Sequence, residues 1–301
     1  MFALTFAKLE NVTMKTAPTS QKRYLIQRLG FSTLTLMTVL TVIPIIVTVI
    51  YIIYQGWPAI SWEFITEMPR DGMRSGGIWP AILGTFYLTI GTALFSVPIG
   101  IATAIYLSEY APDNRWTRLI RLAIISLAGI PSVVYGLFGL GLFVLFLNFG
   151  TSILAGSLTL AIMTLPVIIS TAEEAIRAVP QAFRTVSISM GATKWQTIRR
   201  IVLPQALPGV LTGVILGLER AAGETAPILF TAAAFFLPQL PNSPFDATMA
   251  LPYHLYVIST QVPGMPIEIQ YGTALVLLVF VLSMNIIATT IRSYARKRRQ
   301  W

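Results

Sequence analysis

The longest uncharged stretch of the chain runs from Leu122 to Ala172. A membrane-spanning helix needs only about 20 predominantly apolar residues, so this stretch is too long for a single helix. The segment Asn148–Ser152 is the natural turn within it, because Asn, Gly, Thr and Ser favour loops. We therefore expect two spans, at Leu122–Leu147 and Ile153–Thr171.

The composition agrees with a membrane protein and leaves few catalytic side chains. Of 301 residues, 55% are hydrophobic and 11% are charged, whereas soluble domains have roughly 25% charged residues. The chain has no cysteine, and His254 is its single histidine. Disulfides, thiolate metal sites and histidine-based catalysis therefore have almost no side chains to use. We expect an all-α polytopic membrane protein with no metal site and no enzymatic activity of its own.

Four further apolar segments have the length of a membrane helix, which brings the prediction to six transmembrane helices. They are Phe31–Tyr54, Pro80–Leu107, Pro208–Phe236 and Tyr271–Ile291. The last two are separated by a proline-rich segment, Leu237–Gln270, in which Phe245–Gln261 can form a short interfacial helix.

Positive charges lie on one side of this arrangement. The N-terminal tail (1–30), the loops 109–121 and 173–207, and the C-terminal tail (292–301) contain every Lys and Arg except Arg70, Arg74 and Arg220. Because cytoplasmic loops carry the excess of Lys and Arg, we expect both tails to be cytoplasmic and to flank a transmembrane domain at 31–291. The basic charge is thus interpreted as a topology signal and not as a nucleic-acid-binding surface.

Three charged residues, Glu219, Arg220 and Glu224, interrupt the apolar fifth span. Ionisable residues at membrane depth are costly and usually face a bundle interior or an aqueous pathway. Arg220 and Glu224 are four residues apart and share a helix face. The same face continues backwards through Gly217, Gly213 and Gly209, which would let another helix approach closely. The alternative interpretation is a structural ion pair that locks two helices together.

The loop 173–207 is predicted to contain two short helices. Pro180 can begin the first helix, Gly191 suits the position just past its end, and Thr193 with Gln196 forms a capping box for the second. An apolar face of the second helix comprises Trp195, Ile198 and Val202, and Pro204 and Pro208 are expected to interrupt it before the fifth span. This pattern indicates a protein-docking segment; a solvated linker is the alternative.

Gly191, nine further residues and then Ile201-x-Leu203-Pro204 resemble the cytoplasmic signature of ABC importer permeases. Thr185-Val186-Ser187 stands where that family has Glu-Ala-Ala. The resemblance implies that the loop 173–207 docks on an ATPase subunit. The residues it assigns to docking are Gly191, Ala192, Trp195, Ile201, Leu203 and Pro204.

Two other stretches, Gly129–Leu137 and Arg220–Pro227, resemble phosphate importer permeases. The resemblance covers roughly Pro80 to Tyr294 and implies the type I ABC importer permease (MetI-like) architecture in a bacterial cytoplasmic membrane. It also implies partners: a second, homologous permease subunit, two ATPase subunits and an extracytoplasmic phosphate-binding protein.

The chain lacks the G-x-x-x-x-G-K-[ST] phosphate loop, so ATP and Mg²⁺ are expected on the partner subunits and no cofactor on this chain. Arg220 suits an anion, because its guanidinium stays protonated and presents a planar fork. The other candidate pathway residues are Glu219, Glu224, Ser132 and Tyr135. The expected substrate is inorganic phosphate. The alternatives are another oxyanion, an ion-coupled secondary transporter with Glu219 and Glu224 as proton sites, and an intramembrane enzyme.

Overall fold

The computed structural model describes residues 21–297. Most of the predicted N-terminal tail and the end of the C-terminal tail, including the topology signals Lys8, Lys15, Arg298 and Arg299, lie outside the described residues. Residues up to Tyr51 belong to one compact unit and those from Ile52 onward to a second. In the first unit the helix exposes apolar side chains from Tyr24 onward.

The described chain is almost entirely helical. Its elements in order are α1 (Gln21–Gly56), α2 (Trp62–Thr66), β1 (Pro69–Arg70), β2 (Ser75–Gly76), α3 (Trp79–Ile105), α4 (Arg115–Ala128), α5 (Ser132–Gly139), α6 (Ile153–Arg177), α7 (Gln181–Ser189), α8 (Lys194–Thr197), α9 (Leu203–Gly223), α10 (Ala226–Thr231), α11 (Leu251–Thr260) and α12 (Ile267–Lys297). Wide π-type turns extend α3 through Tyr106–Tyr110, extend α5 through Leu140–Phe146, and join α8 to α9 through Ile198–Val202. The two short strands pair in an antiparallel hairpin.

Within the described residues, five helices are long and apolar enough to cross a membrane, and there are six spans if α4 and α5 together count as one bent span. The predicted all-α polytopic fold class is confirmed. The turn at Asn148–Ser152 is also present. Asn148 and Gly150 have positive φ angles, and the Ser152 hydroxyl caps α6 by accepting the Ala155 N–H.

The predicted third span is not one straight helix, and the structure shows why. Asn114 caps α4 by accepting the Thr117 N–H, so the helix begins at Arg115, inside the predicted loop 109–121. The axes of α4 and α5 then differ by 102°. Pro131 lies at this bend. Proline cannot donate a backbone hydrogen bond and disfavours helical geometry in the residue before it, so α4 ends before Pro131.

The fifth span also differs from its prediction, because helix α9 begins earlier and ends earlier. It starts at Leu203 and stops at Gly223, and the shorter α10 follows after a two-residue break. Pro204 and Pro208 do not interrupt the path from α8, since Pro204 lies in the first turn of α9, where its missing N–H is tolerated. The wide turn Ile198–Val202 continues the helical path upstream of them.

Helix α6 is the centre of the bundle in the second unit, and it packs against α3, α4, α5, α9 and α10. The predicted close approach along the glycines of α9 is confirmed. A Cβ atom added at these positions would lie 2.5 Å from Ala175 at Gly209, 2.7 Å from Thr171 at Gly213, and 3.0 Å from Ile168 at Gly217. Small residues therefore allow the backbone of α9 to lie directly against the side chains of α6.

The predicted helix at Phe245–Gln261 is present in shorter form as α11 (Leu251–Thr260), which is too short to span a membrane. It packs on α3 and α12 and contains His254, which is buried. The Nδ1 atom of His254 has no hydrogen-bond partner among the described residues. Burial lowers the pKa of His254 to about 4, because the charged imidazolium would lose its hydration.

Stability should consequently fall on mild acidification. Below pH 6.5 the imidazole of His254 binds a proton in the unfolded state, but in the folded state it stays neutral until the pH approaches 4. The free energy of unfolding is therefore highest above pH 6.5 and declines as the pH falls toward 4. Between pH 7 and pH 5 the expected loss is about 2 kcal/mol. His254→Leu should lack this component. Thermal unfolding in detergent at both pH values measures it, and identical pH dependence in the two proteins would contradict the prediction.

Candidate functional site

The last turn of α9 carries the Arg220–Glu224 ion pair that the four-residue spacing predicts. The Arg220 Nε atom donates to Glu224 Oε1 at 3.2 Å. The Arg220 side chain is 37% exposed and the Glu224 side chain 18%. Helix α9 ends at Gly223 and Glu224 adopts extended backbone. The pair therefore lies where a membrane helix breaks.

Arg220 retains donor capacity at this break. Among residues 21–297, no hydrogen bond engages the two terminal nitrogens of its guanidinium. The hydroxyl of Tyr135 lies within electrostatic range of Arg220. Since a guanidinium has five N–H donors, the contact with Glu224 leaves most of the fork available to an anion.

Glu219 does not join this pair. It lines an apolar groove of about 170 Å³ between α9 and α12, together with Leu211, Val214, Ile215, Leu218, Met284, Ala288 and Ile291. Its Oε1 atom is buried with no hydrogen-bond partner among the described residues. Neighbouring residues on a helix point in different directions, since the helix has 3.6 residues per turn. The structure therefore separates Glu219 from Arg220 and Glu224.

Ser132 and Tyr135 both lie on α5, which packs on α10 immediately after the break. Ser132 is half-buried in the first turn of α5. Tyr135 is buried, and its hydroxyl donates to the Leu127 carbonyl at 2.7 Å. That contact crosses the bend between α4 and α5 and adds to the backbone hydrogen bond that the same carbonyl accepts from the Ile130 N–H. The single proton of the Tyr135 hydroxyl is thus used within the fold.

Sequence reasoning missed the threonines of α3 that lie beside Glu224. Thr85, Thr89 and Glu224 line one narrow cavity at which α3, α6, α9, α10 and α11 meet. The Thr85 hydroxyl accepts the Leu251 N–H at 2.8 Å. A signal was present in the sequence, because buried hydroxyls recur at helical spacing along α3. They are Thr85, Thr89, Thr92 and Ser96.

The predicted helix–turn–helix is present in the loop after α6. The capping box of Thr193 and Gln196 forms in both directions. Gly191 follows α7 with a φ of +84°, the left-handed conformation that glycine adopts without strain. Trp195, however, is 52% exposed, whereas Ile198 and Val202 are buried. Trp195 is therefore not buried together with the other two residues of the predicted apolar face.

An open apolar hollow of about 510 Å³ lies on the surface of this helix–turn–helix. Of the docking residues predicted from the sequence, Ala192 and Ile201 line it. Gly191 and Trp195 are exposed, and Leu203 and Pro204 are partly buried. Sequence reasoning missed further lining residues, of which Met190 is 83% exposed. The hollow is lined by Ala182, Phe183, Val186, Ser187, Met190, Ala192, Gln196, Arg200 and Ile201.

A buried ion pair anchors the segment to the bundle, and a second group of charges joins α4 to α6; sequence reasoning identified neither. Arg184 of α7 pairs with Glu109 beyond α3 at 2.6 Å. Glu173 of α6 accepts from Arg121 of α4 at 2.8 Å and from Arg177 at 2.9 Å. Removing one partner of a buried pair costs about 3–5 kcal/mol, because the other charge remains without compensation. Arg184 and Glu109 are far apart in the chain, so no local spacing indicates their contact.

The chain is similar to known transport proteins over most of its length. The family described as binding-protein-dependent transport system inner membrane component matches residues 96–300. A probable ABC transporter permease protein, YqgI of Bacillus subtilis, is 34% identical over 76% of this chain and 82% of its own length. The phosphate transport system permease protein PstA 1 of Mycobacterium tuberculosis is 34% identical over 82% of this chain and 80% of its own length.

Solved structures show the same fold at low identity. One is a bacterial alginate ABC transporter, solved in complex with a periplasmic protein bound to an alginate pentasaccharide. A chain of that structure matches with a TM-score of 0.65 and 16% sequence identity, and the match covers 90% of this chain and 96% of that one. The MetNI methionine ABC transporter has one with a TM-score of 0.58 and 18% identity, covering 72% and 97%. The chain thus belongs to the family of binding-protein-dependent transport system inner membrane components, as a multi-pass ABC importer permease subunit of the PstA type without an ATPase site of its own.

Proposed function

We propose that the chain is the permease subunit of an importer that carries inorganic phosphate into the cytoplasm, with ATP hydrolysed on separate subunits. The observation that carries the proposal is Arg220, which stands at the break of a membrane helix and, among the residues that the structure describes, has a partner for its Nε atom alone. A guanidinium matches phosphate oxygens through paired N–H donors. The similarity to a phosphate transport permease supports the substrate class.

In this proposal Glu224 holds Arg220 while no substrate is present. An unpaired charge in an apolar bundle is costly, so the carboxylate compensates the guanidinium until an anion arrives. Glu224 also repels phosphate, which keeps binding weak enough for release, as transport requires. Thr85 and Thr89 line the cavity beside Glu224, so a change in the position of α3 alters the surroundings of the pair.

Two alternatives use the same residues differently. Another oxyanion could bind the same guanidinium. Phosphonate, sulfate and molybdate are also negatively charged, and each presents several oxygens around a tetrahedral centre. An ion-coupled carrier would use Glu219 or Glu224 as a proton site, and the unpartnered Oε1 atom of Glu219 is the observation that favours it. Inhibition of phosphate uptake by each of the other anions tests the first alternative. Uptake driven by an ion gradient without ATP would support the second.

The hollow beside α7 and α8 is the proposed docking surface for an ATPase subunit, which would bind ATP and Mg²⁺. Its apolar lining and highly exposed Met190 suit a protein contact. The complex would also contain a second, homologous permease subunit, a second ATPase subunit and an extracytoplasmic phosphate-binding protein. We further propose that it lies in a bacterial cytoplasmic membrane with both termini in the cytoplasm.

Arg220→Gln should reduce ATP-dependent phosphate uptake by at least about tenfold, because a hydrogen bond to a charged group contributes ~1.5–3 kcal/mol. Arg220→Lys keeps the charge without the fork and should give an intermediate rate. Glu224→Gln should retain some transport, since the neutral amide still accepts a hydrogen bond from Arg220. Uptake is measured in reconstituted vesicles with and without ATP at the ATPase side.

Arg70→Gln is the matched control, because Arg70 belongs to an exposed ion pair with Glu67 in a predicted outer loop. It should transport like the wild type. Full ATP-dependent uptake by Arg220→Gln would exclude the role of Arg220 in the phosphate path. It would leave the pair with Glu224 as a structural contact.

Gly191→Val should weaken ATPase binding without preventing membrane insertion. A β-branched residue is strained at the observed φ of +84°. A Cβ atom at this position meets no atom within 4 Å, so the effect comes from the backbone and not from crowding. Gly191→Asn is the control, because Asn tolerates the left-handed conformation. Co-purification of the ATPase with each variant measures docking, and normal ATPase recovery with Gly191→Val would contradict the assignment.

The proposed topology predicts which engineered cysteines an impermeant thiol reagent can reach. The chain has no native cysteine, so each introduced thiol is the only one in the subunit. Phe245→Cys, at an exposed residue between the fifth and sixth spans, should react when the cytoplasmic membrane is intact. Asp113→Cys, in the exposed loop between α3 and α4, should react only in inside-out vesicles. The reverse pattern would invert the topology.

A further inference from the structure

Arg184 of α7 is joined to the end of α3 by a buried, two-point ionic contact. Its Nη2 atom donates to Glu109 Oε1 at 2.6 Å, and its Nε atom donates to the same oxygen at 3.0 Å. The Arg184 side chain is 11% exposed and the Glu109 side chain 8%. Both bonds converge on one carboxylate oxygen, and charge-assisted hydrogen bonds of this kind are short and strong, so the contact is costly to break.

The same guanidinium also holds the end of α6. Its Nη1 atom donates to the Val179 carbonyl at 2.6 Å, and Nη2 donates to the Ile176 carbonyl at 2.9 Å. Carbonyls in the last turn of a helix have no intrahelical partner, and a positive charge at a helix C-terminus is favourable. One side chain therefore connects α3, α6 and α7.

Apolar contacts also connect the docking segment to α3, because Ala104 of α3 is buried in one cluster with Val179 and Val202, but such contacts are non-directional. Helix α7 packs mainly on α8 and on the wide turn Ile198–Val202, which belong to the docking segment itself. The Lys194 Nζ atom lies 4.8 Å from the ring centroid of Tyr110, which follows Glu109. This cation–π contact reaches the same end of α3, but it is more weakly directional than the ion pair.

We propose that the Arg184–Glu109 pair is a clasp that makes the end of α3 move together with the docking segment. Both are positioning residues that couple ATP hydrolysis to transport. The inference rests on the proposed function, because it requires an ATPase on the docking surface. Helix α3 carries Thr85 and Thr89 beside Glu224. A displacement of α3 by the clasp would therefore reach the cavity next to the Arg220–Glu224 pair.

The first experiment measures the movement directly. Spin labels on Tyr106→Cys and Ile188→Cys, both exposed residues on either side of the clasp, report the distance between α3 and α7 in the assembled complex. With the clasp intact, the distance distribution should be the same with and without ATP. In the Glu109→Gln background it should broaden or shift when ATP is added. A nucleotide-dependent distance in the wild type, or an unchanged one in Glu109→Gln, overturns the clasp.

The second experiment measures phosphate imported per ATP hydrolysed in vesicles. Glu109→Gln and Arg184→Gln should lower this ratio by at least about fivefold, the lower end of typical coupling between sites. The double variant should be no worse than Arg184→Gln, because that single variant already removes the ion pair together with the bonds to the Ile176 and Val179 carbonyls. Arg184→Lys, which keeps the buried charge but not the fork, should assemble and give an intermediate ratio.

Arg177→Gln is the matched control. Arg177 lies near the same loop, is 51% exposed and pairs with Glu173 instead of Glu109. It should keep the wild-type ratio, and a loss equal to that of Arg184→Gln would contradict the specific role of the clasp.

Absence of ATP-driven phosphate uptake in the wild type would contradict the proposed function. The label distances test the clasp without phosphate, so the two failures are distinguishable.

Discussion

The close approach of α9 to α6 is the contact on which the functional region depends. Within a bilayer the lipid tails are as apolar as the side chains, so helices associate through van der Waals packing and not through hydrophobic burial. Gly209, Gly213 and Gly217 allow that packing, because any side chain there would overlap α6. Since α6 also packs on α3 and α5, the position of α9 sets where Arg220 stands relative to both.

The break after α9 places the charges. In a regular helix that continued through Glu224, this side chain would lie on the same helix face as Arg220. The chain instead becomes extended at Glu224, and its side chain lines the cavity that Thr85 and Thr89 share. Glu219 lies one residue before Arg220 but faces α12. The carboxylates of Glu219 and Glu224, five residues apart in the sequence, thus have different chemical surroundings.

On the loop side, ionic contacts add to apolar packing. The buried guanidinium of Arg184 in the docking segment satisfies carbonyls of α6 while pairing with Glu109. Glu173 pairs with Arg121 in the same way and ties α4 to α6. Partly dehydrated ion pairs are directional and costly to break, so they hold the segment firmly against the bundle.

The sequence alone determined what depends on composition and local spacing. Long apolar runs specify membrane helices, the Thr193–Gln196 box specifies a cap, Gly191 specifies a left-handed turn, and the spacing of Arg220 and Glu224 specifies their pair. Tertiary structure alone decided which helix lies against Glu219 and which residue pairs with Arg184. The reason is physical: these features depend on contacts between residues distant in the chain, which periodicity and local propensity do not encode.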